Sequence, residues 1–183
     1  TALKGGMEEP WKMTRLKWLN STLGQDNTVI APYTALKESN RSITLLGRKL
    51  ILDNHGLPSN IQTFFTPEMT ELSSVPNNIL AAPIKFVIET ETGTEELKPI
   101  SFSYISKTAG SIRWTAVSAS QGIKLEVTGS LEFDGFVAYQ VKLSATENIK
   151  VKDISMILPF NKEAGVYMMG LGQKGGYRPS SFY

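Results

Sequence analysis

Gly170-Leu171-Gly172-Gln173-Lys174-Gly175 comes closest to a chemical signature, because it spells G-x-G-x-x-G. In a dinucleotide site those glycines follow a strand and open a helix whose N-terminus holds the pyrophosphate, with an acidic residue about 20 positions further on. Here Gly176-Tyr177-Arg178-Pro179 follows, a run that cannot open such a helix, and no acidic residue lies between it and Tyr183. The reading that remains is a glycine-rich loop leaving a strand, where glycine permits positive φ and close backbone approach.

The other reactive residue types organise no site by their spacing. The sequence has no cysteine, which excludes thiolate catalysis, disulfides and cysteine-based metal sites. Its one histidine, His55, sits in Asp53-Asn54-His55-Gly56 and reads as an exposed turn residue. A Ser-His-Asp triad needs that ring buried beside a serine, and nothing in the sequence calls for it. Glu8, Glu9, Glu89, Glu91, Glu95, Glu96, Glu132 and Asp134 fall on polar faces or turns and read as solvated. A glycosidase places two carboxylates across the scissile bond, and sequence alone pairs none of these. The stretch 89–96 reads as an acidic hairpin loop, without the spacing of an EF-hand. No catalytic residue, metal site or cofactor is therefore expected.

Trp11, Trp18 and Trp114 suit either sugar stacking or the core of a sandwich. Ile112, Trp114 and Ala116 alternate along one face, which puts Trp114 in the core.

The elements that would carry these residues are strands. Helical periodicity is scarce, β-branched and aromatic residues are frequent, and turn signals recur at short intervals, as in an antiparallel sandwich or barrel. Strands are expected near 12–19, 28–34, 42–46, 48–53, 60–65, 83–90, 98–106, 111–119, 122–132, 136–146, 149–159 and 165–171. The stretch 67–83, with three prolines and Asn77-Asn78, reads mostly as loop, with room for a short helical turn around Glu68–Leu72.

One hairpin can be placed to the residue. Ile123, Leu125, Val127 and Leu131 alternate with polar residues, as do Val137, Tyr139, Val141, Leu143 and Ala145. A two-residue turn at Asp134-Gly135 would put these two sets on opposite faces. A three-residue loop, 133–135, with Gly135 left-handed in a G1 bulge restores the parity. Leu131 then faces Val137, Val127 faces Val141, Leu125 faces Leu143, and Glu126 meets Lys142. Gly129 lies opposite Tyr139, whose ring can cover the bare backbone. The next strand changes phase, from Ile149 and Val151 to Ile154, Met156, Leu158 and Phe160, which predicts a bulge near Lys152-Asp153.

The 183 residues suffice for a single domain over 1–183 with its own core. The 19 basic and 17 acidic residues are interspersed, so no basic face for nucleic acid is expected. No segment approaches the ~20 apolar residues of a membrane span. The start, Thr1-Ala2-Leu3-Lys4-Gly5-Gly6, has no signal-peptide character, and both ends read as those of a piece of a longer protein.

Six stretches add a family likeness. They are Trp18-Leu19-Asn20-Ser21-Thr22-Leu23-Gly24, Ala31-Pro32-Tyr33, Leu46-Gly47-Arg48, Gly56-Leu57-Pro58-Ser59-Asn60-Ile61, Glu132-Phe133-Asp134-Gly135-Phe136, and Gly170 through Pro179. In this order and spacing they resemble the N-terminal region of large bacterial enzymes related to glycoside hydrolase family 123. The resemblance runs from about Trp18 to the end of the chain. It implies an all-β fold, an antiparallel β-sandwich of the galactose-mutarotase-like supersandwich kind, set before a TIM-barrel catalytic domain.

Such enzymes remove N-acetylhexosamine units outside the cytoplasm, so a secreted, periplasmic or cell-surface location is implied. Their acid pair lies in the barrel, so the resemblance transfers no catalytic residue to this chain. The glycine loop also resembles a Gly-Leu-Gly turn in the N-terminal sandwich of some α-glucosidases, which reaches towards the barrel's active site. By that likeness Gln173, Lys174, Tyr177 and Arg178 line the domain junction or the substrate cleft. Arg178 could equally pair with a carboxylate of the downstream domain.

The expected partner is that downstream catalytic domain, with carbohydrate as a second. Docking would show as an apolar patch including Met168, Met169, Leu171 and Phe182. A stand-alone carbohydrate-binding module would instead show an exposed aromatic platform drawn from Tyr33, Phe64, Phe65, Phe136 and Tyr139. The third reading is a structural or adhesive surface domain without sugar affinity.

Overall fold

A computed structural model describes residues 21–22, 24–170 and 173–179, with only the backbone of Gln173. Trp11, Trp18, Leu171, Phe182 and the strand expected at 12–19 lie outside the described residues.

The described chain is all-β, with antiparallel pairing throughout, as expected. One sheet joins β1 (Lys37–Ser39), β2 (Ser42–Leu45), β3 (Arg48–Leu52), β4 (Pro58–Phe65) and β5 (Leu72–Asn78) in that order. A second has the order β11 (Val137–Ala145), β10 (Ile123–Glu132), β9 (Ser111–Ala119), β8 (Lys98–Lys107). The two sheets face each other across Leu36, Ile43, Leu45, Leu50 and Leu52 on one side and Ile112, Trp114 and Leu131 on the other. Each such side chain contributes roughly 1.5–3 kcal/mol on burial.

A third sheet, β12 (Val151–Ile157), β6 (Lys85–Thr90), β7 (Gly93–Thr94), adjoins the sandwich. Phe86 and Leu97 pack on Leu57, Leu125 and Val127 in a smaller core. The Ile84 amide donates to the Pro58 carbonyl (2.9 Å), and Asn161 Nδ2 donates to the carbonyls of Asn78 (2.7 Å) and Leu80 (3.1 Å). The last sheet is the hairpin β13 (Tyr167–Gly170) and β14 (Gln173–Tyr177).

The β10–β11 register is the expected one at every position named, including Leu131 with Val137, Val127 with Val141 and Glu126 with Lys142. Gly135 has φ 96°, as the three-residue loop requires. The bulge in β12 falls between Val151 and Asp153. One detail is corrected. Gly129 is covered by Trp114, its neighbour on β9, and a Cβ there would run into the indole. Tyr139 instead meets Trp114 edge-on, with ring centroids 5.8 Å apart.

One other expectation fails, and another is met only in part. The segment 28–34 is no strand. It turns at Ile30–Tyr33, and the chain beyond is tied by the Leu36 amide to the Ala109 carbonyl (2.8 Å). The stretch 67–83 is mostly loop, as expected, but β5 occupies 72–78 and runs through Pro76. A proline is tolerated there because β5 is an edge strand whose register breaks between its two paired ends. The turn before it is not helical: Met69 has φ 60°.

Candidate functional site

The glycine-rich segment crosses a hairpin, not a strand-to-helix turn. Gly170 ends β13 and pairs with Gln173 at the start of β14, so the nucleotide reading fails on geometry as it does on sequence. Tyr167 pairs with Tyr177 across the two strands, and their rings lie 5.1 Å apart at 34°. Both rings are open to solvent, at 69% and 78% exposure, and Met169 reaches 83%.

Of the four residues singled out in the sequence, Lys174, Tyr177 and Arg178 are exposed on this hairpin. Only the backbone of Gln173 is described. Arg178 has a local role: its Nε donates to the Gly165 carbonyl (2.8 Å) and its amide to Val166 (2.9 Å), which closes the base of the hairpin. Beside it lies an open hollow of about 330 Å³, bordered by Lys162, Glu163 and Val166.

The expected apolar patch is present in part. Met169 is exposed while Met168 is half-buried. Other apolar residues not anticipated are exposed as well: Val166 and Tyr167 beside Met169 on the hairpin, and Ile154, Met156 and Phe160 elsewhere. Of the residues considered for a platform elsewhere, Phe136 is exposed, Tyr33 packs edge-on against Phe133 (5.4 Å), and Phe64, Phe65 and Tyr139 are half-buried.

A second constellation escaped the sequence reading. His55 is half-buried, not exposed, and its Nδ1 lies 2.8 Å from Oγ of Ser118 on β9. The turn that carries it is fixed several times over. Asp53 Oδ1 accepts the amides of His55 (2.8 Å) and Leu57 (3.0 Å), and the Asp53 amide donates to the Leu57 carbonyl (2.9 Å). Gly56, at φ 77°, packs on Ala116, and its carbonyl accepts Trp114 Nε1 at 2.9 Å. Burial pushes the Asp53 carboxyl above its ordinary value, and the amides it accepts only partly oppose this.

These three residue types do not make a nucleophilic triad. Asp53 accepts backbone amides, not the imidazole, and Ser118 is 1% exposed, so no hydroxyl is presented to a substrate. The ring instead borders a cleft of about 350 Å³ whose lining includes Phe86, Leu97, Lys85, Glu95 and Glu96. The signal for His55 was missing from the sequence because Ser118 lies 63 positions away.

A family model described as glycoside hydrolase 123, third domain, matches residues 36–183. No curated protein and no solved structure matches the chain.

Proposed function

Because this chain belongs to the glycoside hydrolase 123 third-domain family, we propose that it is a non-catalytic accessory domain of a glycoside hydrolase, packed against the catalytic barrel of the same protein. The carrying observation is the exposed apolar cluster on the β13–β14 hairpin, Tyr167, Met169 and Tyr177. Contiguous exposed apolar surface of this kind marks an interaction site. In this reading the β13–β14 hairpin stands at the domain junction, and Lys174 and Tyr177 are lent to the edge of the substrate cleft. Arg178 holds the hairpin base. The parent enzyme acts on N-acetylhexosaminides and works outside the cytoplasm, in secreted, periplasmic or surface-bound form.

A second reading is favoured by one observation. Tyr167 and Tyr177 form a two-ring exposed face, which suits stacking on a sugar. On that reading the domain is a carbohydrate-binding module in its own right.

Matched proteins separate the two. The chain alone and the whole multidomain enzyme are assayed on aryl N-acetylhexosaminides and on a glycan array. For an accessory domain only the whole enzyme hydrolyses, and the double substitution Tyr167→Ser, Met169→Ser lowers its kcat/KM or loosens its domains to protease. Glycan binding by the chain alone, lost on Tyr177→Ser, establishes the module. Hydrolysis by the chain alone defeats both.

A further inference from the structure

The cleft beside His55 is remote in function from the β13–β14 hairpin, and its chemistry differs. Its floor is apolar: Leu57 and Leu125 are buried, with Phe86 half-buried at the side. Its rim carries hydrogen-bonding groups of both kinds. Lys85 comes from β6, Thr94 from β7, and Glu95 and Glu96 from the segment leading towards β8. The volume of about 350 Å³ falls in the roughly 300–1,000 Å³ range of small-molecule sites.

The imidazole is set in advance of any ligand. Nδ1 is engaged with Ser118, which fixes the ring plane and leaves Nε2 as the nitrogen free to meet a ligand. The Asp53–Leu57 turn holds the backbone beneath it through the bonds described above. Pre-organisation of this kind lowers the ordering cost of binding.

The rim decides what fits. Two carboxylates against one ammonium repel an anion. A wholly apolar ligand would strip water from three charges without replacing their hydrogen bonds. A neutral ring with hydroxyls around its edge and C–H groups on its faces satisfies both parts: its face lies on Phe86 and Leu97, and its edge bonds His55, Glu96 and Lys85. We infer that this cleft binds a single neutral pyranose unit, separately from any contact made by the β13–β14 hairpin. The inference does not rest on the docking role of that hairpin.

The test is an NMR titration of the full 183-residue chain with galactose, N-acetylglucosamine and, as the anion, inorganic phosphate. Saturable shifts of the His55 imidazole and of the Glu95–Leu97 amides with either sugar are expected, and none with phosphate. Affinity should fall about tenfold or more on losing one ring or rim hydrogen bond, in His55→Ala and in Glu96→Gln. Glu96 lies on the exposed rim, so the second variant keeps the fold if the first does not. Tyr177→Ser should leave the affinity unchanged. Shifts with phosphate alone, no shifts with any probe up to tens of millimolar, or sugar binding that ignores Glu96→Gln and follows Tyr177→Ser would each overturn the assignment.

Discussion

Strands β10 and β12 carry similar alternation and meet different fates. In β10 the odd positions Ile123, Leu125, Val127 and Leu131 are each at most 2% exposed, Leu131 against the facing sheet and Leu125 and Val127 in the smaller core. In β12, Val151, Ile154 and Met156 alternate with Lys152 and Ser155, yet all three apolar residues stay open to solvent, Ile154 and Met156 at about half of full exposure. Alternation prepares a face for burial, and only a second layer completes it. The same residue types are therefore enclosed in the first region and left open in the second.

The comparison can be broken at its strongest point. Trp114 is fully buried, caps Gly129 and bonds the Gly56 carbonyl. Trp114→Ala should destabilise the chain by about 3–5 kcal/mol, read as a fall in the urea midpoint. A loss below 1 kcal/mol would mean that the sandwich core tolerates a void there and is no more tightly built than the β12 region.

Asp53, in the turn after β3, has a smaller effect that depends on pH. Its folded carboxyl is raised above the ordinary 3.8. Protonation is thus easier in the folded state, so this group's contribution is fully present below 3.8 and is lost as pH rises through the folded value. Asp53→Asn keeps a carbonyl acceptor for the two amides and removes the titration. The variant should gain on the parent as pH rises from acid to neutral, by about 1 kcal/mol or less. Denaturation across that range checks the sign, and a widening loss at neutral pH would show that the carboxylate charge itself holds the turn.

Glu38 runs the other way. Burial raises it, but the Lys107 ammonium, with the Arg41 amide and Tyr104, outweighs burial and holds it below 4.5. Its contribution is present above 4.5 and disappears as pH falls through the lower folded value.

The smallest effect belongs to β12. Ile154→Ser with Met156→Ser should change the stability of the chain by no more than about 0.5 kcal/mol per site. In the whole enzyme the same pair should weaken domain contact, seen as faster proteolysis between domains. A loss in the isolated chain comparable to that of Trp114→Ala would erase the distinction between the two strands.

Legibility in the sequence follows the range of the interactions. The β10–β11 hairpin was readable because alternation and the Asp134-Gly135 loop admit one register, and both are local. The ring over Gly129 was not readable because Tyr139 and Trp114 both lie across from it, and only the packing shows which one turns over the glycine. β5 was hidden because Pro76 and Asn77-Asn78 carry loop chemistry, while an edge strand needs few donors. Lys174, Tyr177 and Arg178 were picked out by family likeness, and all three lie on one exposed hairpin. His55 and Ser118 meet only because β9 passes beside the Asp53–Leu57 turn, a juxtaposition that depends on the whole topology.

The proline in β5 bears on how this protein behaves when many copies are crowded together. The strand lies at the rim of its sheet with Leu72 and Val75 turned to solvent, an arrangement that ordinarily invites end-to-end stacking into fibrils. Pro76 offers no N–H, and the irregular pairing around it leaves no continuous row of donors for an incoming strand. The sheet can thus keep a sticky border without seeding polymer growth from it.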